Sequence, residues 1–186
     1  HRRRQKGLHA RTTLLELIEL IQQHRGITLA THAGNHFFET RLPRKQADIE
    51  NCLQQFKEAF SPMIDPSDCS ELTSEWRTIE RHWPKTDAFN NFLIHSHYIS
   101  RIQRQVSVLV TQSGHDDVSG LHQRLANLTL RKLPEMIESV AQSRGLAVYI
   151  ASTSDFDNRF LQRLHYLRQS LLDNHFELMQ ELQNID

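Results

Sequence analysis

Apolar positions recur at intervals of three and four along most of the chain, the spacing of amphipathic helices. A first pattern covers about residues 8–32, with Leu14, Leu17, Ile18, Ile21 and Leu29 on one face, and Gly34 and Asn35 interrupt it. A second covers about residues 37–60, with a break expected at Pro43. The stretch from Ser61-Pro62 to Pro66-Ser67 reads as a turn-rich connection. A short third helix is predicted over about residues 67–82, ending before Pro84. The fourth, about residues 86–112, has a heptad-like seam of Phe92, His95, Ile99, Ile102, Val106 and Leu109, and Ser113 to Asp117 end it. A fifth runs from near Val118 toward Lys132, and Pro134 suits the first turn of a sixth that continues to about Ala151. Ser154 or Asp155 caps a seventh, which carries Phe156, Phe160, Leu164, Leu167, Leu171 and Leu178. Bundle packing buries such stripes, so the expected fold is all-α, with six or seven helices.

Composition narrows the function classes. The 186 residues hold 22 Lys+Arg against 22 Asp+Glu, so no global charge drives the chain onto a phosphate backbone, and no nucleic-acid partner is expected. Hydrophobic residues at 38% and charged ones at 24% suit a folded domain. The longest apolar run, Leu146 to Ala151, is far too short to span a membrane. Cys52 and Cys69 form neither a disulfide framework nor a zinc site, and read as buried thiols in a reducing compartment. The chain starts at His1, which reads as a fragment or a processed protein. Residues 1–7 are a basic leader. It reads either as a frayed end or as the cytoplasmic flank of a membrane anchor preceding His1. Residues 8–186 are expected to be one helical domain. A cytoplasmic setting, tethered or not, is favoured, with a periplasmic one left open.

An internal repeat is the most informative feature. Residues 15–26 align without a gap to residues 134–145, with identities at Glu16/Glu135, Ile18/Ile137, Glu19/Glu138, Gln23/Gln142, Arg25/Arg144 and Gly26/Gly145. The shared Gln-x-Arg-Gly carries most weight, because Gly is a poor helix residue. At roughly 100° per residue, Arg25 falls within about 20–40° of Ile18 and Ile21, and Arg144 stands likewise to Ile137 and Val140. The glutamates point to the far side. Each arginine therefore interrupts an apolar face, where a guanidinium that cannot lose its proton needs a partner. One reading gives each arginine a carboxylate from another helix, such as Glu50, Glu58, Asp87 or Asp173. The other brings both arginines to one small planar oxyanion, which matches their fork-shaped donors.

Residues 21–28, Ile-Gln-Gln-His-Arg-Gly-Ile-Thr, resemble the first signature helix of the nitrate- and nitrite-sensing domain of bacterial signalling and antitermination proteins. Residues 133–147 resemble its later arginine-glycine helix, and the stretch through Phe92, His95 and Ile99 looks like helices common in such sensors. The resemblance implies an all-helical sensor that holds nitrate or nitrite between helices through Arg25 and Arg144. Where many relatives carry a second charge before the glycine motif, this chain has His24 and Ser143. The expected partners are the anion and either a second copy or a downstream signalling protein. The alternative function is a non-catalytic interaction module whose arginines form internal salt bridges.

The 12 histidines bring metal chemistry into view. His95 and His97 diverge on a helix, and Gly34-Asn35 separates His32 from His36, so no metal or other cofactor is expected. His95 sits in the apolar seam of the fourth helix. It reads either as a buried neutral imidazole or as a wall of the ligand site and a pH-sensitive switch. No phosphate-binding loop, nucleophile elbow, CxxC pair or dinucleotide fingerprint is present, so no catalytic residue is proposed.

Overall fold

The computed structural model describes residues 2–60, 66–113 and 120–183, and all regular structure among them is helical. Seven α-helices are formed: α1 (Arg2–His32), α2 (Leu42–Phe60), α3 (Pro66–His82), α4 (Ala88–Ser113), α5 (Gly120–Asn127), α6 (Leu133–Thr153) and α7 (Asn158–Gln183). The chain divides into two compact units, His1–Leu109 and Val110–Asp186. The expected turn at 61–65 and the expected end of the fourth helix at 114–117 lie outside the described residues, as does the fifth helix's start at Val118.

Several boundaries differ from the periodicity, each for a local reason. The basic leader is helical from Arg2, since Arg, Lys and Gln are good helix formers and need no apolar face to start one. Gly34 ends α1 with φ +80°. Gly34 N–H donates to the Thr31 carbonyl at 2.9 Å and Asn35 N–H to the Ala30 carbonyl at 2.9 Å, the paired bonds of a Schellman cap. Pro43 does not break a helix. A 3-10 turn, Glu39–Arg41, precedes α2, and Pro43 occupies the first turn of α2, where its missing N–H has no partner to lose. Pro134 stands in the first turn of α6, as expected, but no break precedes it. Residues 120–153 are helical throughout, with a π segment at Leu128–Lys132 immediately before α6. Proline cannot donate to the carbonyl four residues back and its ring crowds it, and the wider π turn makes room.

In the first unit, α1 to α4 form a bundle around Leu17, Ile21, Ile49, Phe56, Trp76 and Ile99, all buried to 1% exposure or less. The seam read on α4 is buried from Phe92 to Val106. α4 is tied to α3 by Tyr98 Oη, which donates to the Leu72 carbonyl at 3.0 Å, and by Arg101, which bridges Glu71 and Glu75. Cys52 and Cys69 are both buried free thiols, and burial pushes Cys52 up to about 12.

In the second unit, α6 and α7 form an antiparallel hairpin. Tyr149 lies 4.9 Å from Phe160 near the turn, while Lys132, at the far end, is held by Glu177 and Glu181. Ser154 is the left-handed residue that ends α6, with φ 54°. The cap of α7 is neither Ser154 nor Asp155 but Asp157, whose Oδ1 accepts the Arg159 N–H at 2.8 Å. Phe156 precedes the helix and is exposed. Among the described residues no helix is long and apolar enough to cross a membrane.

Asp87 caps α4, its Oδ1 accepting the N–H groups of Phe89 and Asn90 at 3.1 Å each. Asp87→Ala is expected to lower unfolding stability by about 1 kcal/mol in urea titration. An unchanged midpoint would show that the cap adds nothing.

Candidate functional site

The core of the first unit is not uniformly apolar. His24, Arg25 and Thr28 on α1, and Asn91, His95 and Ser96 on α4, are all exposed by 3% or less. Their spacing explains the meeting. His24 and Thr28 are one turn apart on α1, as are Asn91 and His95 on α4, so each pair shares a face. Asn91 Nδ2 donates to Thr28 Oγ1 at 3.0 Å, His24 Nδ1 meets His95 Nε2 at 2.8 Å, and Arg25 Nη1 donates to Ser96 Oγ at 2.9 Å. One turn forward on α4 matches one turn back on α1, so the two helices run antiparallel along these polar rungs.

The direction of every proton follows from the chain's end point. His95 Nδ1 lies 2.7 Å from the Asn91 backbone carbonyl, which can only accept, so Nδ1 carries the proton. Neutral His95 then offers Nε2 as an acceptor, and His24 Nδ1 donates to it. His24 Nε2 is left as an acceptor, and the Gln46 amide nitrogen on α2 donates to it at 3.4 Å. Three helices are thereby linked by two neutral imidazoles in fixed tautomers. Burial first, and then the neighbouring His95, pulls His24 down to about 2. Burial lowers His95 to about 4 against the opposing pull of the Asn91 carbonyl, with Arg25 and His32 lowering it further.

Arg25 is 3% exposed and its guanidinium also lies over the Phe92 ring at 5.4 Å. Ser96 accepts from Arg25 and passes its own hydrogen to the Phe92 carbonyl at 2.8 Å. The histidine pair is walled by indoles: His24 is edge-on to Trp76 at 5.0 Å and to Trp83 at 6.2 Å. Trp76 Nε1, Asn91 Oδ1 and His32 Nε2 are buried without a hydrogen-bond partner. A buried donor and a buried acceptor left unmade each cost on the order of 1–3 kcal/mol, so this core keeps polar capacity in reserve.

The structure brings Arg25 and His95 into one cluster. Arg144 belongs to the second unit and is exposed. The expectation that it stands on a buried apolar face fails, because Ile137 and Val140 are 60% and 55% exposed while Glu138 and Gln142 are buried. His36, separated from His32 by the Gly34-Asn35 break as expected, pairs with Glu39 at 2.8 Å. His24, Thr28, Asn91 and Ser96 were not singled out from sequence as site residues. Their signal was polar residues at helical spacing inside apolar seams. No protein-family model, curated protein or solved structure matches the chain.

Acid stability tests this neutral pair. Unfolded histidines titrate near 6.5, whereas the folded pair refuses protons down to about 4 for His95 and about 2 for His24. Above about 6.5 neither state binds a proton there. As pH falls below it, the unfolded chain gains two protons that the folded one does not, so stability is lost on acidification. The expected slope is about 1.4 kcal/mol per pH unit for each histidine between about pH 6.5 and 4. Urea titrations across that range should lose roughly half of this slope in His24→Gln. A slope identical in both proteins would mean that His24 protonates in the fold.

Proposed function

We propose that this chain is a non-catalytic sensory domain that binds a small planar oxyanion, nitrate or nitrite, at the Arg25 cluster of the first unit and transmits a shift of α1 against α4. The observation that carries the reading is a permanent guanidinium charge buried beside two imidazoles held neutral, with an unpartnered indole donor, Trp76 Nε1, in the same core. Donor capacity in a low-dielectric core favours an acceptor that is anionic and too small to disturb the packing. A planar oxyanion meets the guanidinium fork with paired donors, which chloride does not. The Gln-x-Arg-Gly repeat and the resemblance of residues 21–28 to nitrate- and nitrite-sensing domains support the same choice. Arg25 supplies the guanidinium of the site within the first unit. The histidine rungs give the ligand a lever: an anion that draws Arg25 away from Ser96 removes a polar link between α1 and α4.

A second reading, a helical interaction module, is favoured by the exposed apolar row on α6. The two are compatible, because they use different units.

Thermal unfolding with nitrate, nitrite and chloride at equal ionic strength tests the proposal. Nitrate or nitrite at a hundredfold excess over its Kd should add about 2.7 kcal/mol, with chloride adding much less. Arg25→Ala should abolish the difference, and Arg25→Lys should restore part of it. A folded protein that responds to neither anion at millimolar concentration would refute oxyanion sensing.

A further inference from the structure

The first half of the α6 helix is packed inside out. At 100° per residue, Leu133, Ile137, Val140, Arg144, Ala147 and Ala151 form one row, alternating steps of four and three in a heptad register. Every one of them is exposed. Ile137 and Val140 stand at 60% and 55%, and Val148 beside the row at 59%. The opposite face is buried: its first half carries Glu138 and Gln142, at 3% and 4% exposure, and its second half Leu146, Tyr149 and Ile150. Gln142 Nε2 donates to Glu138 Oε1 at 2.8 Å, and Arg163 of α7 donates to Gln142 Oε1 at 2.8 Å. A lone helix face of Leu, Ile and Val would turn inward and leave Glu and Gln to water. This one does the reverse, so its apolar row is built for a cover.

The repeat indicates what kind of cover. Ile18, Ile21 and Arg25 on α1 correspond to Ile137, Val140 and Arg144, and they are 7%, 0% and 3% exposed. There the motif face packs on a helix: Arg25 lies over Phe92 and bonds Ser96, both on α4. The first unit surrounds the motif with a four-helix bundle, whereas the long helices of the second unit are only the α6–α7 hairpin. Two such hairpins make a four-helix bundle.

We propose that the chain self-associates through α6, packed antiparallel against α6 of a second copy about an axis near Val140. The area suffices. Leu133, Ile137, Val140 and Val148, with Leu172 and Phe176 of α7, are 39–64% exposed. At roughly 150–200 Å² per full side chain these six offer about 550 Å² per chain. The alanines and the Arg144 stem bring this toward the ~800 Å² per partner of a standard interface. Charge sets the direction. The only charge in the row is Arg144, and a parallel pair would set the two guanidiniums face to face. Antiparallel packing about Val140 separates them by eight residues, about 12 Å along the axis. It also places Leu133 opposite the partner's Ala147, large against small.

Sedimentation velocity on the whole 186-residue chain, from micromolar to near-millimolar concentration, tests the interface. A reversible dimer is expected. Ile137→Lys combined with Val140→Lys should weaken it roughly a hundredfold or more. Both positions are already exposed, so far-UV circular dichroism should not change. Val140→Cys should cross-link two chains under mild oxidation and Ala151→Cys should not, with the wild type and its buried thiols as control. A monomer throughout, or a dimer indifferent to the two lysines, overturns the proposal. Cross-linking through Ala151→Cys overturns the antiparallel arrangement.

Discussion

A single backbone carbonyl sets the chemistry of the first unit. The Asn91 carbonyl takes the proton of His95 Nδ1, and that choice passes through His95 Nε2 and His24 to the Gln46 amide. Reverse one tautomer and two acceptors face each other, or two donors do. The pairing therefore holds α1, α2 and α4 in one register, more narrowly than apolar packing, which tolerates sliding and rotation. It also keeps positive charge off the imidazoles and leaves Arg25 as the cation of the cluster. A proton added to either ring would place like charges together in a buried core, and burial already opposes it.

Much of the fold could be read from apolar spacing. Ile18 and Ile21 on α1 and the α4 seam from Phe92 to Val106 lie where the three-and-four pattern puts them. Boundaries were less legible, because they depend on backbone details that spacing does not contain. Pro43 and Pro134 illustrate this. Both stand in the first turn of a helix, Pro134 as its position suggested, but the 3-10 turn before Pro43 and the π turn before Pro134 leave no mark in the spacing. The candidate site was half legible. Arg25 and His95 could be named from their place on apolar faces. Their neighbours could not, since Thr28, Asn91 and Ser96 look like ordinary helix-surface residues until two helices are paired.

The repeat illustrates why a pattern does not decide which side faces the core. Residues 15–26 and 134–145 share Ile, Glu, Gln, Arg and Gly at matching positions, so spacing alone reads both alike. In α1 the isoleucine face has three further helices to meet. In α6 the nearest long helix is α7, and it takes the face of Glu138 and Gln142 through Arg163. Burial is a property of the set of available partners, not of one helix. A motif face can thus be core in one unit and surface in the other.

The central claim is that His24 and His95 are neutral, each protonated at Nδ1. Long-range ¹H–¹⁵N NMR of the imidazole rings reads both properties directly. Two rings are expected with Nδ1 protonated and Nε2 bare near neutral pH, unchanged as the pH is lowered toward about 4 while the protein stays folded. Either ring protonated at Nε2 instead, or titrating near the ordinary 6.5 of histidine, would contradict the account.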